Sequence, residues 1–189
     1  MREALCETRD GENLVLEGVK AKGRVAGRML DMTIEQRFKN PEPTNVEVIY
    51  TLPLPWHAVL LRLEVELNGE TLTGQVKAKV QARSDYEEAL SEGNTGILVT
   101  VNADRSYTLE LGNLLAGESC VIRLHYVQPL QPEQGSLRLT LPTTIAPRYG
   151  DAIVEGGYEP HAVPETSTTV EYPFEIHLAI HGELVQAQI

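Results

Sequence analysis

The chain has 189 residues, 42% of them hydrophobic and 23% charged, which is enough for one large or two small domains with a core. Its 27 acidic residues outnumber its 16 basic residues and give a formal net charge of −11 at pH 7. This charge argues against nucleic acid as the main partner and disfavours adhesion to an anionic membrane, because both need a surplus of Lys and Arg.

The sequence contains no apolar run of about 18 residues, so we predict no insertion into a membrane. The first residues lack the apolar segment of a secretory signal. Cys120 alternates with Ile122 and Leu124, which is typical of a small core residue, and Cys6 is the other cysteine. A Cys6–Cys120 disulfide is an open alternative, but the sequence favours the reducing cytoplasm.

Most of the first half of the chain alternates between apolar and polar residues, which predicts β-strands. Residues 1–13 are polar and are interpreted as a lead-in. We predict extended segments at 14–28, 29–38 and 46–52, with the prolines at 41 and 43 in a turn. In the second segment Leu30, Met32, Ile34 and Phe38 are expected to face inward.

A hairpin is predicted next. Its first strand would place five apolar residues on one face, and Asn68-Gly69 is a strong signal for a tight turn back into residues 71–76. The five residues are Val59, Leu61, Leu63, Val65 and Leu67.

One helix is expected, at about residues 79–92, ending at Gly93. At 100° per residue, one stripe of the helix contains three alanines, Ala78, Ala82 and Ala89. Tyr86 and Leu90 are the large side chains of the same stripe. Arg83 and Glu87 have the spacing of an ion pair within a helix.

After the helix we predict a hairpin from 97–101 and 106–111, a turn at 114–118, and strands at 119–127 and 136–141. Residues 151–168 carry glycines and prolines and are interpreted as a linker. Residues 169–189 hold a terminal strand without stop signals, expected to begin or complete a neighbouring unit of a longer chain. The predicted fold is mainly β: an antiparallel β-sandwich with one docked helix.

No motif for nucleophilic, phosphate-binding or zinc chemistry is present, and we predict no catalytic residue, metal or cofactor. Asp104-x-Ser106-x-Thr108 has the spacing of an adhesion-domain metal signature, but it falls in a predicted hairpin and is interpreted as a turn with surface hydroxyls. His177 and His181 lie about 13 Å apart along a strand, which is too far to share one ion.

Several motifs in order resemble the vault protein/inter-alpha-trypsin (VIT) domain of inter-alpha-trypsin inhibitor heavy chains and of vault poly(ADP-ribose) polymerase. The resemblance covers about residues 14–150. It is carried by Ala82, Tyr86, Ala89 and Gly93; by Tyr107, Leu109 and Leu111-Gly112-Asn113-Leu114 with Gly117-Glu118; by Val121, Tyr126 and Leu130; and by Leu141-Pro142 with Ile145-Ala146-Pro147-Arg148-Tyr149. In that family the domain precedes a von Willebrand factor type A domain and has no established catalytic chemistry.

The resemblance implies a non-catalytic scaffold or protein-interaction module, whose partner is a downstream von Willebrand type A domain of the same chain. The residues predicted to form the contact surface are Trp56, Tyr172, Phe174, Ile176, Leu178 and Ile180. Two alternatives stay open: part of an enzyme whose site is assembled from distant residues, and a carbohydrate or matrix binder. Oligomeric state is not predicted.

Overall fold

A computed structural model describes residues 6–8, 15–52, 54–55, 57–67, 69–75, 79–101, 107–141 and 172–182. Within these ranges the chain forms one helix, α1 (Lys79–Ser91), and twelve strands. The strands are β1 (Cys6–Thr8), β2 (Val15–Ala26), β3 (Met29–Lys39), β4 (Val46–Leu52), β5 (Val59–Leu67), β6 (Glu70–Thr73), β7 (Gly96–Val101), β8 (Tyr107–Leu114), β9 (Ser119–Pro129), β10 (Pro132–Glu133), β11 (Ser136–Leu137) and β12 (Phe174–His181). No helix of the described part is long and apolar enough to cross a membrane.

Two sheets enclose the core. One has the order β1-β4-β8-β7 and the other β12-β2-β3-β9-β5-β6, while β10 and β11 form a separate small hairpin. Buried apolar residues of both sheets belong to one cluster, in which the rings of Phe38 and Tyr50 meet edge to face with centroids 5.2 Å apart. The prediction of a mainly-β sandwich with one helix is confirmed.

Alternation correctly identified the inward face of β3. The four residues predicted to face inward are almost completely buried (Leu30, Met32, Ile34 and Phe38). The segment predicted as extended through residue 28 instead ends at Ala26, because Gly27 adopts φ +59° and turns the chain directly into β3. Likewise, the strand predicted at 136–141 is only Ser136–Leu137.

The inward face of β5 differs from the prediction at its first residues. The pairing of β5 with β9 shifts register between Leu60 and Arg62, so Leu61 is an extra residue in a β-bulge. Leu60 therefore packs against the core, whereas Leu61 and Val59 are exposed. Leu63, Val65 and Leu67 are buried as predicted, and the hairpin turn has Gly69 at φ +79°.

Helix α1 forms a third layer on the outer face of the four-stranded sheet. Its two large side chains, Tyr86 and Leu90, lie over the cross-strand pair Gly96 and Gly112 of β7 and β8. A Cβ at Gly112 would be 2.3 Å from Leu90 Cδ2, and one at Gly96 would be 2.9 Å from Tyr86 Cδ2. The absence of these Cβ atoms lets the helix approach the sheet closely.

Polar contacts also fix the helix. Arg83 donates two hydrogen bonds to Glu110, at 2.8 and 2.7 Å, and Tyr86 Oη donates to Glu47 at 2.9 Å. The direct ion pair of Arg83 is with Glu110 on the sheet, which offers two parallel hydrogen bonds, while the predicted partner Glu87 adds only a lesser Coulombic attraction. The predicted stop is confirmed: Gly93 has φ +81°, and the N–H groups of residues 93 and 94 close on the carbonyls of Leu90 and Ala89.

Candidate interaction surface

The terminal strand β12 is part of the six-stranded sheet. It pairs in parallel with β2 over its whole length, from Phe174 opposite Val19 to His181 opposite Ala26. The strand expected to begin or complete a neighbouring unit thus pairs with β2 inside this domain, and the sheet is mixed, whereas the sequence predicted an antiparallel one. β12 and β2 pair in this register because it places the apolar residues of both strands on the same face of the sheet. Whether β12 also contributes to a neighbouring unit stays a prediction.

The four apolar side chains of β12 lie on the core-facing side of the sheet. Their partners in β2 point to the same side, and three of those partners are buried (Val19, Ala21 and Val25). The β12 side chains themselves remain 38–44% exposed. We call these residues the β12 row; they are Phe174, Ile176, Leu178 and Ile180. The apolar face of the sheet therefore extends past the closed core and remains open to solvent.

Gly23 makes room for the row. A Cβ at this position would lie 2.9 Å from Leu178 Cδ1 and 2.8 Å from Met32 Cε. The glycine thus lets Leu178 lie beside the buried methionine and ties the row to the core. Sequence reasoning did not recognise this arrangement, because it brings β12 against β2 and β3, which lie far from it along the chain.

The opposite side of β12 is polar. Glu175 Oε2 and His177 Nε2 are 3.8 Å apart, and these residues lie in register with Lys20 and Lys22 of β2. Farther along the same outer face, Arg123 joins Glu35 at 2.8 Å and Glu66 at 2.6 Å. The outer face of the sheet is therefore solvated and charged. The β12 row is the apolar, core-facing side of the same strand.

The other predicted contact residues divide into two cases. Tyr172 is half-buried and packs against the core cluster, so it anchors the start of β12. Trp56 lies outside the described residues, as do Asp104 and Ser106 of the adhesion-like motif. Sequence reasoning gave His125 no role, but its Nε2 lies 3.0 Å from Asp31 Oδ1 on the outer face.

Four described residues have shifted pKa values, and burial or hydrogen bonding explains each shift. Burial raises the pKa of Cys120 and that of Tyr126 to about 12, and both side chains lie in the core. Hydrogen bonds to carboxylates raise the pKa of Arg83 and of Arg123. Among the described residues, no three His, Cys, Asp or Glu side chains converge to hold a metal ion.

The described surface also has an open cavity of about 620 Å³ at the β10–β11 hairpin. Its lining side chains are exposed, and the only two charged ones are Glu133 and Arg138. Exposed side chains at a hairpin tip lack the burial and apolar walls of a typical small-molecule site. The apolar β12 row is thus the stronger candidate for recognition.

Comparisons with known proteins agree with the resemblance noted from the motifs. A family model described as the vault protein inter-alpha-trypsin domain matches residues 16–126. Protein mono-ADP-ribosyltransferase PARP4 of Mus musculus is 29% identical over 136 residues, which cover 72% of this chain and 7% of that protein. Von Willebrand factor A domain-containing protein 5A is 29% identical over 115 residues in Homo sapiens and 32% identical over 116 in Rattus norvegicus, covering 59% of this chain and 15% and 14% of those proteins.

The chain thus spans only 7–15% of the length of these relatives. The family match runs from Leu16 in β2 to Tyr126 in β9 and includes α1 and most of both sheets, while β12 lies beyond it. Because the match covers more than half of the chain, the protein belongs to the vault protein inter-alpha-trypsin (VIT) domain family.

Proposed function

We propose that this chain is a non-catalytic VIT module that docks a von Willebrand factor type A domain of the same polypeptide. The observation that carries the proposal is the half-exposed β12 row, an apolar extension of the core face. A domain laid against it would remove four large apolar side chains from water. The names of the von Willebrand factor A domain-containing relatives support this choice of partner.

A rigid support is what such a docking surface requires. The row is held by the parallel pairing of β12 with β2 and by Leu178, whose side chain lies over Gly23, as does that of the buried Met32. Recognition by the row needs no reacting group. The described residues with shifted pKa values lie in the core or in ion pairs. The module would therefore act by orienting its neighbour.

The test compares hydrogen exchange of β12 in this chain alone and in the chain joined to its von Willebrand factor A domain. We expect slower exchange of β12 amides in the joined protein. Ile176→Ser on the row should remove much of that protection, because partial burial of an isoleucine contributes about 1 kcal/mol or more. Thr71→Ser is the matched control, since Thr71 lies on the far edge strand β6. Equal exchange of β12 with and without the second domain would refute the proposal.

A further inference from the structure

We propose that two copies of this chain associate through the outer edge of β12, in an antiparallel register centred on Leu178. The surface involved is the hydrogen-bonding edge of the strand. It is distinct from the side-chain face assigned to the adjacent domain, so this inference goes beyond the proposed function and does not depend on it.

The outer edge of β12 has hydrogen-bonding groups to offer. Val19 N–H donates to Pro173 O at 3.0 Å, so Pro173 directs its carbonyl toward β2. Successive residues of a strand direct their backbone groups to opposite edges. The N–H and C=O groups of Phe174, Ile176, Leu178 and Ile180 therefore point away from β2. Within the described part of the chain, no strand pairs with that edge.

The side chains of this edge give it little protection against another strand. Edge strands in soluble proteins are commonly guarded by prolines, lysines or bulges. β12 contains no proline or lysine, and it pairs with β2 without a register shift. Such an edge is a template for an added strand.

The sequence of β12 is self-complementary about Leu178. In an antiparallel pair centred there, Leu178 faces its own copy and Ile176 faces Ile180, so the apolar residues meet apolar residues. On the other side of the strand Glu175 faces His181 of the second copy, and this pairing occurs twice by symmetry. A carboxylate accepts a hydrogen bond from an imidazole N–H, so the facing groups are complementary.

The side-chain pairs, and not the number of hydrogen bonds, favour this register over one centred on His177, which would form four hydrogen-bonded facing pairs. The three facing pairs formed by residues 176, 178 and 180 would each close two hydrogen bonds, about six in all. A register centred on His177 would place that histidine opposite itself, and one centred on Ile176 would leave Ile180 and His181 beyond the paired segment. The central register joins two six-stranded sheets into one continuous sheet and lengthens the row.

Sedimentation equilibrium of the isolated chain tests the association. We expect a species of twice the 20.9 kDa chain mass at high protein concentration. Leu178→Pro removes an N–H that points away from β2, so it should leave a folded monomer. Leu178→Ala keeps the N–H and should still dimerise. A wild-type chain that stays monomeric at its highest soluble concentration, or a dimer that survives Leu178→Pro, overturns the proposal.

Cysteine cross-linking tests the register, and it does so even if the proline variant fails to fold. In a Cys6→Ser background, Leu178→Cys should oxidise to a covalent dimer, because facing hydrogen-bonded residues have Cα atoms about 5.5 Å apart, within the range of a disulfide. Ile176→Cys alone should not cross-link, whereas a mixture of Ile176→Cys and Ile180→Cys chains should. Cross-linking of Ile176→Cys alone in place of Leu178→Cys would refute this register. Failure to dimerise leaves the exchange experiment on the adjacent domain unaffected, and failure of that experiment leaves the dimer in place.

Discussion

Gly112 and Leu90 are in contact across the junction between the helix and the four-stranded sheet. A Cβ on Gly112 would lie 2.3 Å from Leu90 Cδ2, which no pair of carbon atoms can accommodate without movement. Gly96, directly opposite Gly112 in the sheet, is similarly close to Tyr86. Two glycines thus form a notch that seats the two large side chains of α1, and the helix is positioned by the sheet as much as by its own alanines.

Adding a methyl group in the notch should loosen the helix. We expect Gly112→Ala to lower the free energy of unfolding by about 1–3 kcal/mol, because overpacking forces side chains or backbone to shift. Urea denaturation measures the change. Gly18→Ala is the control, since its Cβ would meet ordinary contacts at 3.5 Å. Pairing Gly112→Ala with Leu90→Ala should recover part of the loss, and strict additivity of the two changes would contradict the contact.

Arg83 should contribute to stability more through Glu110 than through Glu87. Arg83→Met leaves the nearly buried Glu110 carboxylate without its two hydrogen bonds. The expected loss is about 1–2 kcal/mol, below that of a fully buried pair because the Arg83 side chain is 38% exposed. Glu87→Ala should change stability by less than about 0.5 kcal/mol. Equal losses for the two variants in urea denaturation would argue for the ion pair within the helix.

Two tyrosines should respond in opposite ways to loss of the hydroxyl. Tyr126 is completely buried, and its hydroxyl makes no hydrogen bond within the described structure. Tyr126→Phe should therefore be neutral or stabilise the protein slightly, whereas Tyr86→Phe should cost about 1–2 kcal/mol because Tyr86 donates to the Glu47 carboxylate. Thermal unfolding of the two variants side by side measures the difference. A larger loss for Tyr126→Phe would contradict the assignment.

The β-bulge of β5 predicts unequal tolerance of charge at adjacent leucines. Leu61→Glu should change the free energy of unfolding by less than about 0.5 kcal/mol, since Leu61 is 55% exposed. Leu60→Glu should lower it by about 2 kcal/mol or more, because Leu60 packs against the core. The urea midpoints of the two variants, each measured against wild type, compare their stabilities. The reverse order would restore the simple alternation in which Leu61 faces inward.

Stability should fall in alkali because of two buried groups. Burial raises the pKa of Cys120 from 9.0 to about 12, chiefly by desolvation and secondarily through Glu118, and desolvation raises that of Tyr126 from 10.0 to about 12. Between pH 9 and 12 the unfolded chain holds fewer protons than the native chain, so the free energy of unfolding declines as pH rises.

Urea denaturation between pH 8 and 11 measures this slope. Cys120→Ala should make the decline shallower above pH 9, and Tyr126→Phe should do so above pH 10. The comparison uses slopes, because each variant also changes packing at a single pH. Parallel curves for wild type and Cys120→Ala would show that the thiol is not responsible.

Local patterns in the sequence determined much of this fold. Alternation alone identified the inward residues of β3 and the buried end of β5, since side chains of a strand point alternately to core and solvent. Asn68-Gly69 and Gly93 marked a hairpin and a helix end, because glycine adopts positive φ at little cost. The apolar face of β12 was also evident from its spacing.

How these pieces meet depends on contacts between segments that are far apart in the sequence. The parallel pairing of β12 with β2, the bulge at Leu61 and the Arg83–Glu110 pair each join segments distant along the chain. A local period records which side of a strand is apolar, but it does not record which strand lies beside it or where an extra residue shifts the register. Those choices depend on side-chain fit summed over the whole core, which exists only once the sheets have packed.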